Sequence, residues 1–286
     1  LLRRLARGGM GEIHLAVAGE IGGFEKLCVI KKVRTTKDNE PQVRRFLDEG
    51  KVVVKLSHGN LVHVFDVGFV EDEVYIAMEY VEGQNLRDIM VRCDETRTRI
   101  PIELGLYITV QLCRGLHYAH NYGDLALVHR DICPPNVLVS YSGEVKVTDF
   151  GLAQSVLKQE STEPGKVYGR FSYLAPEQAR REGVDRRTDL YSTGIILWEL
   201  LTGQPLRPGP HNDPSTALSV VRAGKVEPPS SRNSRVPRAL DEVVLRTLEL
   251  QPEARYTSAE ELRRVLARHL ARLSPAFDSG GVSSFM

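Results

Sequence analysis

Three side chains that can bind a metal ion or accept a proton lie close together in the middle of the sequence. Asp131 and Asn136 belong to the stretch Val-His-Arg-Asp-Ile-Cys-Pro-Pro-Asn, and Asp149 belongs to Lys-Val-Thr-Asp-Phe-Gly. Carboxylate and amide oxygens suit hard cations such as Mg²⁺, and a carboxylate can also accept the proton of a reacting hydroxyl. A single Asp or His of this kind is more often a core or turn residue. The ordered pair of motifs points instead to a chemical site.

Two short strands are expected to position these residues. Residues 137–139 and 145–147 have strand composition, and the Ser-Gly pair between them is turn chemistry. The resulting β-hairpin brings Asn136 and Asp149 together from its two ends.

Composition indicates an ordinary soluble globular protein. The chain has 286 residues, of which 42% are hydrophobic and 26% charged, and this is enough for two lobes with separate cores. The formal net charge of +1 favours neither nucleic acid nor an acidic surface as the main partner.

The cysteines and the hydropathy pattern indicate the cellular compartment in which this chain is expected. The four cysteines are far apart and show no metal-binding spacing, which predicts thiols in a reducing, cytoplasmic environment. No apolar run approaches the roughly 18 residues of a membrane span. Because the chain opens on Leu1 inside a predicted strand, we expect a fragment of a longer protein, which could itself be membrane-anchored.

The two central motifs resemble the H-R-D-x-x-x-x-N catalytic loop and the D-F-G motif of the eukaryotic-like protein kinases. The resemblance implies an α+β fold with two lobes. Residues 1–81 are expected to form an antiparallel sheet plus one helix, and residues 82–273 a mainly helical lobe. Residues 274–286 are rich in Ser and Gly, which predicts a disordered tail or linker.

The same resemblance implies ATP-dependent transfer of the γ-phosphate to serine or threonine of protein substrates. Asp131 would accept or orient the substrate hydroxyl proton, while Asn136 and Asp149 would hold Mg²⁺, with Mn²⁺ as an alternative. The sequences Gly-Gly-Met-Gly-Glu and Ala-Pro-Glu-Gln look most like the bacterial members, which suggests a role in signalling.

The first part of the chain supplies the nucleotide site in this reading. Residues 1–17 read as strand, glycine turn and strand, although an ordinary hairpin gives the same glycine pattern. Lys31 matches the lysine of the V-A-I-K strand, with Lys32 as a rival. Glu49 on the predicted helix 41–56 matches the glutamate that pairs with that lysine. The residues that the resemblance assigns to ATP binding, several of which are also good core residues, are Ala6, Gly8, Gly11, Ile13, Val29, Lys31, Met78, Glu79, Val81, Asn85 and Leu138.

Within that set, each group has an expected role. Gly8 and Gly11 let the backbone approach phosphate oxygens. The backbone of Glu79 and Val81 would bind adenine behind Met78, and Asn85 would lie near the ribose.

Two residues in the second lobe have expected structural roles. Asp189 has helix N-cap chemistry, and in the family the matching aspartate also holds the catalytic loop from beneath. Arg255 matches the arginine that pairs with the glutamate of Ala-Pro-Glu, here Glu177.

The segment from Asp149 to Glu177 resembles the activation and substrate-docking loop. Arg130 could pair a phosphate added to it, which predicts autophosphorylation at Thr162 or Ser161 and self-association. Nearby glutamates could supply the negative charge instead.

Two residues depart from the family pattern. Cys133 stands where most serine/threonine kinases have a lysine, and Arg170 stands where they have a threonine. Arg170 could return the missing positive charge to the catalytic site. Alternatively it selects acidic groups of the substrate, or is a solvated loop residue. A pseudokinase and a small-molecule kinase are the competing functions.

Overall fold

The computed structural model describes residues 1–8, 11–19, 25–33, 50–70, 73–123, 127–150, 171–208 and 214–286. An antiparallel sheet forms the first part of the chain, and helices dominate the second part. This is the predicted protein kinase architecture.

In the described residues the first sheet has five strands in the order β1-β2-β3-β5-β4, and every neighbouring pair is antiparallel. Its strands are β1 (Arg3–Gly8), β2 (Gly11–Ala18), β3 (Lys26–Val33), β4 (Val64–Val70) and β5 (Glu73–Glu79). β5 shows why the sequence folds this way: Val74, Ile76 and Met78 alternate with more exposed residues and are buried. This period of two places one face of the strand on the core.

Strand register collects the predicted nucleotide residues on one side of the sheet. Ile13 on β2 lies opposite Lys31 on β3, and Val29 lies opposite Met78 on β5. Directly opposed residues point to the same face, as do residues two positions apart on one strand. Ile13, Val29, Lys31 and Met78 therefore share a face.

A smaller sheet follows, made of β6 (Gly83–Asn85), β7 (Val137–Ser140) and β8 (Val145–Val147). β7 and β8 form the predicted hairpin, with Val137 opposite Val147. The pairing of β6 with β7 was not predicted, because a three-residue strand has too little periodicity to recognise.

Helices make up most of the described chain after β6. They are α1 (Leu86–Glu95), α2 (Ile102–His120), α3 (Pro176–Arg180), α4 (Arg186–Thr202), α5 (Pro214–Ala223), α6 (Pro229–Arg232), α7 (Ala239–Thr247), α8 (Ala259–Leu273) and α9 (Ser279–Phe285). α4 is buried on all sides from Thr188 to Leu201, so it forms the centre of this part of the molecule. Gly194 allows its close packing, because a Cβ there would lie 2.8 Å from the Thr247 side chain.

The prediction of disorder for residues 274–286 is wrong. Asp278 accepts hydrogen bonds from the backbone N–H groups of Gly280 and Gly281 and so caps α9, while Val282 is completely buried. The Phe277 ring packs edge-on against Tyr107 of α2. Composition alone misled here, because these few apolar residues have a docking surface that only the folded chain provides.

None of the helices in the described part of the chain is both long and apolar enough to cross a membrane.

Candidate active site

Asp189 anchors the stretch that carries Asp131. Its two carboxylate oxygens accept hydrogen bonds from the backbone N–H groups of His129 (2.8 Å) and Arg130 (2.7 Å), which confirms the expected contact from beneath. The prediction that Asp189 is a helix N-cap is wrong. α4 begins at Arg186 and Asp185 caps it, so Asp189 lies within the first turn of the helix.

Two buried histidines complete this anchor. His129 accepts the N–H of Asp131 on Nδ1 (3.2 Å), so its proton lies on Nε2 and is donated to the carbonyl of Thr148 (2.9 Å). His120 donates from Nε2 to Asp189 (2.7 Å). The motifs around residues 131 and 149 are thus joined through one imidazole, and sequence reasoning did not identify His120.

Asn136 holds Asp131 in place. Its side-chain amide nitrogen donates to the backbone carbonyl of Asp131 (2.8 Å) and to the carboxylate Oδ2 (3.2 Å). Both bonds use the amide nitrogen, so the carbonyl oxygen Oδ1 of Asn136 stays available for another ligand.

Asp149 follows β8, the second strand of the hairpin, and lies close to the other predicted site residues. The N–H of Thr148 donates to the carbonyl of Asn136 (3.0 Å), which places Asp149 one residue from that contact. Lys31 Nζ lies 2.7 Å from Asp149 Oδ1, with both side chains partly exposed. The structure therefore brings Lys31, Asp131, Asn136 and Asp149 together.

Backbone strain marks the same place. Arg130 has φ 66° and Asp149 has φ 62°, and non-glycine residues rarely adopt this left-handed region. Such conformations persist only where the surroundings hold them, and they cluster at functional sites. Two hydrogen bonds hold Arg130 in this conformation: Asp189 accepts its N–H, and Gln178 donates to its carbonyl (2.9 Å).

The residues present suit a magnesium ion carried by a nucleotide. In the described residues there is no cluster of three or more His, Cys, Asp or Glu side chains that could hold a metal by themselves. Mg²⁺ usually takes one or two protein oxygens and completes its shell with substrate phosphates and water. The Asp149 carboxylate and the Asn136 amide oxygen fit that limited role.

The apolar residues predicted to contact adenine are partly exposed, which leaves part of their surface open to a ligand. Val29, Val81 and Leu138 are half-buried and pack against the main core. The N–H of Glu79 donates to His63 O (2.8 Å), so only its backbone carbonyl is left for adenine. Its side chain pairs with Lys146 Nζ (2.7 Å), a contact that the sequence did not indicate.

Three other predicted nucleotide residues have defined positions. Asn85 caps α1, accepting the N–H of Asp88 (3.0 Å) and donating to the Asp88 carboxylate (2.7 Å), and the structure shows no further role for it. Gly8 pairs with Gly11, whose φ of 144° favours glycine. Ala6 lies exposed on β1 next to a register shift.

Several predictions lie outside the described residues. These are the Lys31 partner Glu49, the departure Arg170, and the modification sites Ser161 and Thr162. The other departure, Cys133, is buried and its carbonyl accepts the N–H of Asn136.

Glu177 and Arg255 form the predicted ion pair. Two guanidinium nitrogens of Arg255 lie 2.8 Å from the two carboxylate oxygens, and the residues are only 1% (Arg255) and 2% (Glu177) exposed. Burial alone would raise the pKa of Glu177, but the Arg255 guanidinium holds that pKa below its usual range. The pair ties α3 to the segment that precedes α8.

A family model, curated relatives and solved structures that are similar to this chain are all protein kinases. The model described as "Protein kinase domain" matches residues 1–266. Tyrosine-protein kinase MasK of Myxococcus xanthus is 37% identical over 281 residues, covering 95% of this chain and 43% of that protein. Serine/threonine-protein kinase PknB of Mycobacterium leprae is 37% identical over 270 residues, covering 92% and 42%. The chain thus spans about two fifths of the length of these curated relatives.

Among solved structures, the PknI kinase domain of Mycobacterium tuberculosis is similar with a TM-score of 0.71 at 27% identity. The alignment covers 94% of each chain.

Proposed function

The chain belongs to the protein kinase family, and from this premise we propose that it transfers the γ-phosphate of ATP to serine or threonine side chains of proteins. The observation that carries the proposal is the supported Asp131. Its backbone follows two N–H groups bound by Asp189, and its carboxylate is bound by Asn136. A general base must be held in position before its basicity is of use.

Each site residue has a task in this reaction. Asp131 takes or orients the proton of the substrate hydroxyl. Asp149 and the amide oxygen of Asn136 would hold Mg²⁺, which would supply positive charge to the phosphates. Lys31 would bind the α- and β-phosphates, and its 2.7 Å contact with Asp149 supports this, because its ammonium reaches the carboxylate that we propose for the metal.

The nucleotide would lie against the shared face of the first sheet. Ile13 and Val29 form the upper wall, Leu138 the lower wall, and the backbone of Glu79 and Val81 the polar edge. Catalysis by such a site consists of positioning and charge neutralisation, because a loose phosphoryl transition state needs little covalent help.

Serine/threonine specificity is supported by the PknB relatives, while a second candidate, tyrosine specificity, is favoured by the similarity to MasK. Lys31, Asp131, Asn136 and Asp149 lie together in the described structure, which favours an active kinase over a pseudokinase. A cytoplasmic signalling role in a bacterium, with self-association during autophosphorylation, completes the proposal.

The decisive experiment incubates the purified chain with γ-labelled ATP, Mg²⁺ and the generic substrates casein and myelin basic protein, followed by acid hydrolysis. Labelled phosphoserine or phosphothreonine is the expected result, and the Asp131→Asn variant is the matched control. Label found only in phosphotyrosine would transfer the assignment to the second candidate. Nucleotide binding without any transfer would establish a pseudokinase.

A further inference from the structure

Three consecutive backbone carbonyls just before the Ala-Pro-Glu sequence are held by side chains. Arg207 Nη1 donates to the carbonyls of Ser172 (2.9 Å) and Leu174 (3.0 Å). Between them, the Ser192 hydroxyl donates to the carbonyl of Tyr173 (2.9 Å). Each carbonyl in this short segment is therefore bound from the side of α4 and the loop that follows it.

Arg207 itself is an unusual buried cation. It is only 8% exposed, and in the described residues its hydrogen bonds go to two carbonyl oxygens and a hydroxyl rather than to a carboxylate. Its third hydrogen bond is to Tyr191, whose hydroxyl accepts from Nη2 (2.9 Å) and whose ring lies 5.6 Å from the guanidinium carbon, and the Glu199 carboxylate also interacts electrostatically with it. Burial lowers the pKa of Arg207, but a guanidinium stays protonated in proteins. The buried guanidinium charge of Arg207 is therefore used to bind the carbonyl oxygens of Ser172 and Leu174.

The side chain of Tyr173 is bound by the same region. Its hydroxyl donates to Glu199 Oε2 (2.6 Å), and Glu199 Oε1 accepts the N–H of Leu206 (3.1 Å), the residue before Arg207. Burial raises the pKa of Glu199. Helix α4 and the loop after it thus hold the segment 172–174 through its backbone carbonyls and through the side chain of Tyr173.

The Gln178 side chain connects this segment to the catalytic loop. Gln178 accepts the N–H of Ala175 on Oε1 (3.0 Å) and donates from Nε2 to the carbonyl of Arg130 (2.9 Å). Arg130 immediately precedes Asp131. Because Gln178 joins the two segments, residues 172–175 have a fixed position relative to Asp131, the proposed base, and a displacement of these residues would change that position.

We propose that Arg207 is a positioning residue for the protein substrate: its guanidinium fixes the backbone of residues 172–174 as a preformed platform beside Asp131. This inference rests on the proposed function, since the platform serves a polypeptide that presents its hydroxyl to Asp131. Arg207 does not touch the nucleotide residues. Its loss should therefore weaken the use of the protein substrate and leave the use of ATP unchanged.

The test compares Arg207→Gln and Arg207→Lys with a matched control, Arg222→Gln. Arg222 also donates to a backbone carbonyl, that of Ala179 (2.8 Å), but beyond the platform. Steady-state kinetics would give KM for a peptide substrate, KM for ATP and kcat. Amide hydrogen exchange of a peptide covering residues 171–176 would report on the platform directly.

For Arg207→Gln we expect at least a tenfold higher KM for the peptide, a KM for ATP within twofold of wild type, and faster exchange at 171–176. Arg207→Lys should fall between wild type and Gln, because an ammonium cannot reproduce the planar fork. Arg222→Gln should change the peptide KM by less than twofold. If Arg207→Gln proves insoluble, Arg207→Lys provides the same readouts.

Two results would overturn the proposal. One is an unchanged peptide KM in a folded Arg207 variant, and the other is unchanged exchange at 171–176. If the wild-type chain transferred no phosphate at all, the proposed function would fail, but the exchange measurement would still decide whether Arg207 holds this segment.

Discussion

The buried pair of Glu177 and Arg255 allows a quantitative test of what holds the helical part together. In Glu177→Gln, Arg255 keeps its hydrogen bonds to the carbonyls of Glu249, Arg187 and Leu250 but loses a carboxylate with two contacts of 2.8 Å. Removing one partner of a buried pair costs about 3–5 kcal/mol, because the other charge stays buried without compensation. The glutamine oxygen retains one bond, so we expect a loss of about 3 kcal/mol in the free energy of unfolding.

The only tryptophan, Trp198, makes the assay direct, since it is buried in the central helix α4. Its fluorescence should report urea unfolding, and thermal unfolding should shift by about 6–12 °C, at roughly 2–4 °C per kcal/mol for a domain of comparable size. The control is Glu95→Gln, which breaks the 3.8 Å contact with Arg92 at the surface. Exposed pairs contribute at most about 1 kcal/mol.

The effect of Glu177→Gln should also depend on pH. The pKa of Glu177 is lowered in the folded state, so its ionised form stabilises the fold. That contribution is fully present above the ordinary value of 4.5 and is lost as the pH falls through the lowered pKa. The difference between wild type and variant should be constant from neutral pH to about pH 5 and shrink below it. A loss below about 1 kcal/mol at pH 7, or one that persists unchanged in acid, would refute this reasoning.

The remaining predictions concern activity. Asp131→Asn and Lys31→Met should each lower the rate of phosphate transfer by several powers of ten. Neither should change the unfolding midpoint, because neither residue belongs to the hydrophobic core. A tenth or more of wild-type activity in either variant would contradict the assigned roles. Phosphopeptide mapping should find autophosphorylation between residues 155 and 172, and fully active protein without phosphate there would rule this out. Arg170→Thr should cripple the enzyme and an added Cys133→Lys should restore much of the rate, with a coupling of about 1–3 kcal/mol; additive effects would end the compensation hypothesis.

The proposed catalytic residues were predictable from the sequence where they lie close together along the chain. β7 and β8 pair across a short turn, so their composition and turn residues were sufficient to place Asn136 near Asp149. The strands of the first sheet were predictable for a similar reason. Alternation of buried and exposed residues reveals a strand whatever it packs against.

Sequence patterns were weaker where a residue's role depends on its partner. Asp189 looked like a helix cap because caps and buried anchors use the same side chain, and only the start of α4 at Arg186 separates the two. Residues 274–286 looked disordered because Ser and Gly outnumber the apolar residues. Burial of Val282 became visible only with the surface it packs against.

What the sequence by itself determined is therefore the family, the strand and helix pattern, and the identity of the chemical groups. Only the tertiary structure decided which distant groups meet: Lys31 and Asp149 are 118 positions apart, and Arg207 and Ser172 are 35 apart. Periodicity reveals which face of an element is buried but carries no information about what covers that face. The partners of Arg207, Lys146 and His120 are set by the packing of helices and sheets, which brings together groups that no local pattern relates.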